Sequence, residues 1–109
     1  MKIFLCCSAG MSTSMLVNKM RVAAQQKELS CEINAYSVSE FEKRLQQNDV
    51  CLIAPQVKYQ FKQFKQRATE EGKACGLIDM LDYGMMKGDV ILEQAVELYQ
   101  SLETKGSNL

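Results

Sequence analysis

Two short runs of apolar residues constrain the fold of this chain more than any other feature. Residues 2–6 are apolar after Lys2, and residues 50–54 are apolar throughout. Runs of this length without polar alternation are typical of strands that are buried on both faces of a sheet. Because such a sheet must be covered from both sides, we expect helices in the segments between the strands.

Helical periodicity appears in four of the remaining segments. The first predicted helix runs to about Glu28 and is expected to be capped by Ser12 or Thr13, and Asp89 is expected to cap the last helix. The apolar stripes of the four predicted helices are Leu16, Met20, Ala23 and Ala24; Val38, Phe41 and Leu45; Val57, Phe61, Phe64 and Ala68; and Ile91, Ala95, Leu98 and Leu102.

The other two strands have weaker signals. Residues 31–36 alternate between apolar and polar, which predicts a half-exposed edge strand that is followed by a capping box of Ser37 and Glu40. Residues 74–78 form the fourth predicted strand. Residues 80–88 lack a regular pattern and are predicted to be an irregular loop.

Strands and helices alternate along the whole chain, so we predict a single α/β domain with a four-stranded parallel sheet and helices on both faces. The two fully apolar strands should be central, which gives the strand order 2-1-3-4. The switch point then lies between strands 1 and 3, where ligands bind at the carboxyl ends of the strands. The domain is predicted to span residues 1–103, and residues 104–109 to form a frayed tail.

The stretch at this switch point has the chemistry of an anion-binding site. It reads Cys7-Ser8-Ala9-Gly10-Met11-Ser12-Thr13-Ser14. A turn of small residues exposes backbone N–H groups, and the helix that follows directs its positive end at the same place. A thiol beside a helix N-terminus is expected to be reactive, so we predict that Cys7 is a nucleophile and that its thiol is at least partly accessible. Residues 8–14 are predicted to bind a phosphate.

The other four cysteines are predicted to be ordinary core residues. Cys31, Cys51 and Cys75 lie inside predicted strands, and Cys6 is the last residue of the first strand. A disulfide between Cys6 and Cys7 is unfavourable, because adjacent side chains leave a strand in opposite directions.

Composition excludes several classes of function. The chain has no histidine and no CxxC pair among its five cysteines, so we predict no metal site and no cofactor. The formal net charge is zero, which gives no global field that favours nucleic acid or an anionic membrane. We interpret the basic residues of the third predicted helix as a solvated helix face rather than a phosphate or nucleic-acid site. These residues are Lys58, Lys62, Lys65 and Arg67. No apolar run approaches the length of a membrane span, and we expect a cytoplasmic protein with reduced cysteines.

Three reactions suit a thiolate in an anion-binding loop: transient acceptance of a phosphoryl group, hydrolysis by a phosphatase or reduction by an arsenate reductase of similar fold, and thiol redox chemistry. The low-molecular-weight tyrosine phosphatases use a C-x5-R pattern, and Thr13 stands at that arginine position. Without this arginine the loop has no bidentate cation that would stabilise the negative charge of the transition state. Its absence favours a phosphoryl carrier over a hydrolase. A non-catalytic regulatory module of the same fold is the remaining alternative.

The loop resembles that of the enzyme IIB components of the lactose/cellobiose (N,N'-diacetylchitobiose) class in the bacterial phosphoenolpyruvate-dependent sugar phosphotransferase system. The similarity covers nearly the whole chain and includes residues 52–57, Ile78-Asp79 and Tyr83-Gly84. It implies a protein-phosphocysteine–sugar phosphotransferase. Its Cys7 would accept phosphate from a IIA phosphohistidine and pass it to a sugar taken up by the IIC membrane permease. The sugar would be a β-linked disaccharide such as cellobiose, chitobiose or lactose.

Several residues outside the loop keep two interpretations. Met85 and Tyr83 could contribute to a partner surface, and Tyr83 could equally pack in the core. Met80, Met85 and Met86, and Met11 within the loop, could likewise fill gaps in the core, or line the site and form a soft surface for a protein partner. We interpret Asp79 as a strand-end turn residue rather than a residue that orients the loop. A small carrier that docks with two partners in turn is expected to be a monomer.

Overall fold

Four parallel strands form a single sheet at the centre of the structure, in the order β2-β1-β3-β4. The strands are β1 Lys2–Cys7, β2 Glu32–Ser37, β3 Val50–Ile53 and β4 Ala74–Leu77. A computed structural model of the chain describes residues 1–8 and 11–107, and for Met11, Ser12 and residues 103–107 it describes the backbone alone. The predicted fold class and strand order are confirmed.

Five α-helices surround the sheet: α1 Met11–Gln26, α2 Phe41–Leu45, α3 Phe61–Glu70, α4 Met80–Gly84 and α5 Gly88–Ser107. Short 3-10 segments, Val38–Glu40 and Pro55–Gln60, precede α2 and α3. The predicted third helix is therefore divided, because Val57 has non-helical backbone angles and the α-helical part begins at Phe61.

From Ile3 to Cys6, side chains of successive β1 residues enter two separate cores, one on each face of the sheet, and Cys7 joins the same core as Cys6. Ile3 and Leu5 of β1 pack with the apolar stripes of α1 and α5, whereas Phe4 and Cys6 pack with α2 and α3. Burial on both faces removes β1 and β3 from water, as their uninterrupted apolar sequence predicts. On the α2 and α3 side, Phe41 stacks on Phe64 with ring centroids 3.9 Å apart.

Side chains cover one carbonyl at each outer edge of the sheet. At the β2 edge, the Arg21 guanidinium donates to the Ile33 carbonyl at 2.6 and 3.0 Å and to Asn34 Oδ1 at 3.0 Å. At the β4 edge, Gln94 Nε2 donates to the Leu77 carbonyl at 2.9 Å. These bonds occupy backbone acceptors that a further strand would use.

The predicted helix caps were wrong in three places. Ser12 and Thr13 lie inside α1, which begins at Met11, and Asp89 lies inside the first turn of α5. Ser37 does cap the 3-10 segment by accepting from the Ser39 backbone N–H, but no capping box with Glu40 forms. The Glu40 carboxylate instead accepts from Arg44 at 2.9 Å.

The bounds of several predicted elements also differ from those in the structure. α1 stops at Gln26, and Glu28 adopts a left-handed backbone with φ of 55°. Residues 80–88 were predicted to be an irregular loop, but they contain α4, because the Asp79 carboxylate accepts from the N–H groups of Leu81 and Asp82. α5 continues to Ser107, beyond the predicted domain boundary at residue 103.

Three thiols lie side by side in the α2 and α3 core. Cys51 of β3 is opposite Cys75 of β4, and Cys6 of β1 belongs to the same buried cluster. Burial raises the pKa of the Cys51 thiol well above its ordinary value of 9.0, and the neighbouring thiols Cys6 and Cys75 raise it further. All three side chains are buried in this core, as predicted.

Gly88 is predicted to be essential for the contact between α1 and α5. A Cβ atom at Gly88 would lie 2.7 Å from the Lys19 carbonyl carbon and 2.9 Å from the Met20 nitrogen. Gly88→Ala should therefore lower the free energy of unfolding in urea by about 1–3 kcal/mol. Gly84→Ala is the matched control, because a Cβ there meets no heavy atom within 4 Å. Equal urea midpoints for the two variants would contradict the close contact.

Cys51 should make the protein less stable in alkali. As pH rises above about 9, the unfolded thiol ionises while the folded thiol stays neutral, so the free energy of unfolding falls by up to about 1.4 kcal/mol per pH unit. Below that pH both states are protonated and the effect is absent. Urea denaturation at several pH values should give a smaller alkaline slope for Cys51→Ala than for wild type. Cys31→Ala, at a half-buried site, should change this slope less; identical slopes for wild type and Cys51→Ala would contradict the assignment.

Candidate functional site

Cys7 is the last residue of β1 and lies at the carboxyl edge of the sheet. It is in register with Ser37 of β2, and the preceding Cys6 is opposite Ile53 of β3. α1 begins four residues further on, at Met11. The strand therefore places Cys7 at the switch point between β1 and β3, as predicted.

The Cys7 thiol is held between the first turn of α1 and the end of β2. Its Sγ lies 3.0 Å from Thr13 Oγ1, and either atom can be the donor. The thiol also donates to the Tyr36 carbonyl oxygen over a longer distance of 3.9 Å. One neighbour is thus a hydroxyl that can donate or accept, and the other is a carbonyl that only accepts.

The prediction of a partly accessible thiol was wrong for this state of the protein. Cys7 is only 3% exposed, and Thr13 is fully buried. The reason is that the thiol points toward Thr13 and Tyr36, into the core lined by α2 and α3, rather than away from the sheet edge. Access to this sulfur from solvent requires it to move toward the surface.

The rest of the predicted phosphate loop is described only in part. Ala9 and Gly10 lie outside the described residues, and for Met11 and Ser12 only a helical backbone is described. Ser8 and Ser14 are exposed on either side of this stretch. The first turn of α1 contains no acidic residue, so no carboxylate there offsets the positive end of the helix.

α4 and the residue that follows it lie at the same edge of the sheet and carry exposed apolar side chains. Met80 is 65% exposed, Leu81 66% and Met85 61%. Met80 and Met85 therefore do not fill gaps in the core. Met86, in contrast, packs against the core under α1 and α5. Sequence reasoning missed Leu81, because a five-residue helix is too short to reveal which side faces solvent.

Two residues near α4 have structural roles in the observed arrangement. The Asp79 carboxylate caps α4 at 3.0 and 3.1 Å, which agrees with its interpretation as a strand-end residue. Tyr83 is half-buried and packs against both cores. Core packing therefore accounts for Tyr83, whereas its predicted part in a partner surface stays a prediction.

The guanidinium of Arg67 on α3 is engaged by carboxylates at the protein surface. Arg67 forms ion pairs with Glu42, Glu70 and Glu71 at 2.7–3.1 Å. The hydrogen bond from Arg67 lowers the pKa of Glu42. A guanidinium engaged by three carboxylates supports the interpretation of this face as a solvated surface.

The described residues contain no group of three or more metal-ligating side chains. All five cysteines are free thiols. Cys31 is half-buried, and this burial raises the pKa of its thiol. Within residues 1–8 and 11–107, none of the helices is long and apolar enough to cross a membrane.

Comparison with known proteins gives one consistent result. Residues 2–94 match the family described as "PTS system, Lactose/Cellobiose specific IIB subunit". A galactose-specific EIIB component of Lactococcus lactis is 40% identical, over 88% of this chain and 94% of that protein. An oligo-beta-mannoside-specific EIIB component of Bacillus subtilis is 37% identical, over 89% of this chain and 94% of that protein.

Solved structures agree with the sequence relatives. A cellobiose-specific IIB component of Borrelia burgdorferi has a TM-score of 0.79 and 33% identity, with 93% of each chain covered. A lactose-specific IIB domain of Streptococcus pneumoniae has a TM-score of 0.79 at 19% identity, with 91% of this chain and 97% of that chain covered. The latter similarity concerns the fold alone.

Proposed function

The chain belongs to the lactose/cellobiose-specific IIB family of the sugar phosphotransferase system, and we propose that Cys7 is the residue on which it carries the phosphoryl group. IIB components are phosphotransferases that work with IIA and IIC partners. The observation that carries the proposal is the position of Cys7. Among the described thiols, it ends a central strand at the switch point and contacts the first turn of a helix, whereas Cys6, Cys51 and Cys75 lie inside strands.

The proposed reaction has two displacements at phosphorus. In the first, the Cys7 sulfur attacks the phosphorus of a IIA phosphohistidine, so that an S–P bond forms while the P–N bond breaks. The imidazole leaves with the electron pair, and the thiol proton ends on its nitrogen. In the second, a sugar hydroxyl oxygen attacks the same phosphorus, the S–P bond breaks, and the hydroxyl proton restores the thiol.

Residues 8–14 are proposed to hold the phosphoryl group between the two displacements. The N-terminus of α1 supplies backbone N–H groups and a positive helix end, and its first turn contains no acidic residue. Thr13 stands where the related phosphatase pattern has arginine. A loop without that cation gives less stabilisation to attack by water, which favours transfer to a partner over hydrolysis.

The substrate and partners follow from the family. By their names, relatives are specific for galactose, cellobiose and oligo-β-mannosides. We propose a β-linked disaccharide such as cellobiose, chitobiose or lactose as the final acceptor, bound by the IIC permease. The donor is a IIA phosphohistidine, and the exposed Met85 belongs to the partner surface. The chain would act as a cytoplasmic monomer that reaches the inner face of the membrane transiently, without a cofactor.

Phosphorylation should add the mass of one phosphoryl group to the wild-type chain. The assay combines phosphoenolpyruvate, the general phosphotransferase proteins and a cognate IIA, and it is read by intact mass spectrometry. Cys7→Ala should lose the added mass completely, because the accepting sulfur is gone. Cys31→Ala should keep it, since Cys31 lies at the opposite end of the sheet, just before β2 begins.

The chemical nature of the adduct gives an independent check. The chain contains no histidine, so a phosphohistidine cannot form on it. Fragment mass spectra should place the phosphoryl group on Cys7 rather than on the adjacent Cys6. An unmodified wild-type chain, or an adduct that persists in Cys7→Ala, would overturn the proposal.

A further inference from the structure

We infer that Thr13 is a positioning residue for the phosphoryl transfer: its hydroxyl holds the Cys7 sulfur and stabilises the ionised form that attacks phosphorus. This inference rests on the proposed role of Cys7. It concerns the side chain of Thr13 and is separate from any contact that the backbone of residues 8–14 makes with phosphate.

The geometry of the contact carries the inference. Thr13 Oγ1 lies 3.0 Å from Cys7 Sγ, in a region where both residues are buried. The two side chains come from different elements, the end of β1 and the first turn of α1. Threonine is branched at Cβ and has few rotamers in a helix, so its hydroxyl is held in place by the backbone. The sulfur is thereby fixed relative to the start of the helix.

Two hydrogen-bonding neighbours of the sulfur among the described residues, Thr13 and the Tyr36 carbonyl, respond differently to ionisation. The Tyr36 carbonyl, at 3.9 Å, can accept from S–H but has no proton to give to a thiolate. The Thr13 hydroxyl can accept from the thiol and, after rotation, donate to the thiolate. Of these two neighbours, Thr13 alone favours the reactive form, and the carbonyl disfavours it.

The different responses of the Thr13 hydroxyl and the Tyr36 carbonyl also determine the direction in which the ionised sulfur moves. When the thiol loses its proton, its interaction with the carbonyl becomes repulsive and its bond to the hydroxyl becomes charge-assisted. The ionised sulfur should therefore leave the Tyr36 carbonyl and stay with Thr13. Since Thr13 belongs to the helix whose N-terminus binds the phosphate in the proposed function, the same hydroxyl keeps the nucleophile beside its target.

A purely structural role for Thr13 would not require the hydroxyl. Valine has nearly the shape of threonine and would fill the same buried space. A buried hydroxyl costs free energy unless it is hydrogen-bonded. Thr13→Val therefore removes the proposed effect while keeping the packing, and Thr13→Ser keeps the hydroxyl while removing a methyl group.

The first experiment measures alkylation of Cys7 by iodoacetamide as a function of pH, with fragment mass spectra to separate Cys7 from Cys6. Thr13→Val should move the rate profile to higher pH and lower the rate at pH 7 by about 10-fold or more, the size of a lost hydrogen bond to a charged group. Thr13→Ser should restore most of the wild-type profile. Thr69→Val is the matched control, because it removes a hydroxyl from an exposed position on α3.

The second experiment measures phosphoryl transfer from the cognate IIA. Thr13→Val should lower kcat by about 10-fold or more with little change in KM for IIA, because the hydroxyl acts on the sulfur and not on the partner. Thermal unfolding of each variant checks the fold, and Thr13→Ala replaces Thr13→Val if valine prevents folding.

The outcomes separate this inference from the proposed function. An unchanged alkylation profile in Thr13→Val, or equal losses in Thr13→Val and Thr13→Ser, would overturn the role of the hydroxyl even if Cys7 carries phosphate. If the wild-type chain accepts no phosphoryl group, the proposed function fails. The alkylation profile then still decides whether Thr13 controls the Cys7 sulfur.

Discussion

Burial of β1 on both faces is the constraint on which the rest of the structure depends. Its side chains alternate between two separate cores, so helices must cover the sheet from both sides and hold the strand rigidly in the centre. The carboxyl end of such a strand is a fixed point, because neighbouring strands are hydrogen-bonded on each side of it. Cys7 occupies this point, and the precision of its contact with Thr13 follows from the rigidity of the sheet and of α1.

Much of this architecture could be predicted from the sequence, because its causes repeat along the chain. The two apolar runs identified the central strands, and the stripe from Leu16 to Ala24 identified a helix that packs on one face. Features that depend on a single contact could not be predicted. Asp79 caps α4 and stabilises it. The helix has five residues, which are too few to show a helical period in the sequence. The direction of the Cys7 side chain depends on Thr13 and Tyr36, which no local pattern places beside it.

The site also explains how a loop of phosphatase type can serve transfer. A guanidinium at the position of Thr13 would bind the phosphoryl oxygens tightly and stabilise attack by any nucleophile, including water. A hydroxyl would bind the phosphoryl oxygens more weakly than a guanidinium does, and the Thr13 hydroxyl is within hydrogen-bond distance of the sulfur. In the proposed reaction the sulfur acts twice, first as the attacking group and then as the leaving group, and both steps gain from a neighbour that stabilises the thiolate.

The bonds from Arg21 and Gln94 to the outer edges of the sheet have a consequence for how partners bind. Many proteins recognise one another by β-augmentation, in which a segment of one chain extends the sheet of another. Here the Ile33 and Leu77 carbonyls are already engaged by side chains of the same molecule. A partner strand that used either carbonyl would first have to displace the side chain bound to it, whereas a partner that contacts side chains can bind and leave without breaking these bonds. A molecule that collects its cargo from one protein and delivers it to another benefits from such short-lived encounters.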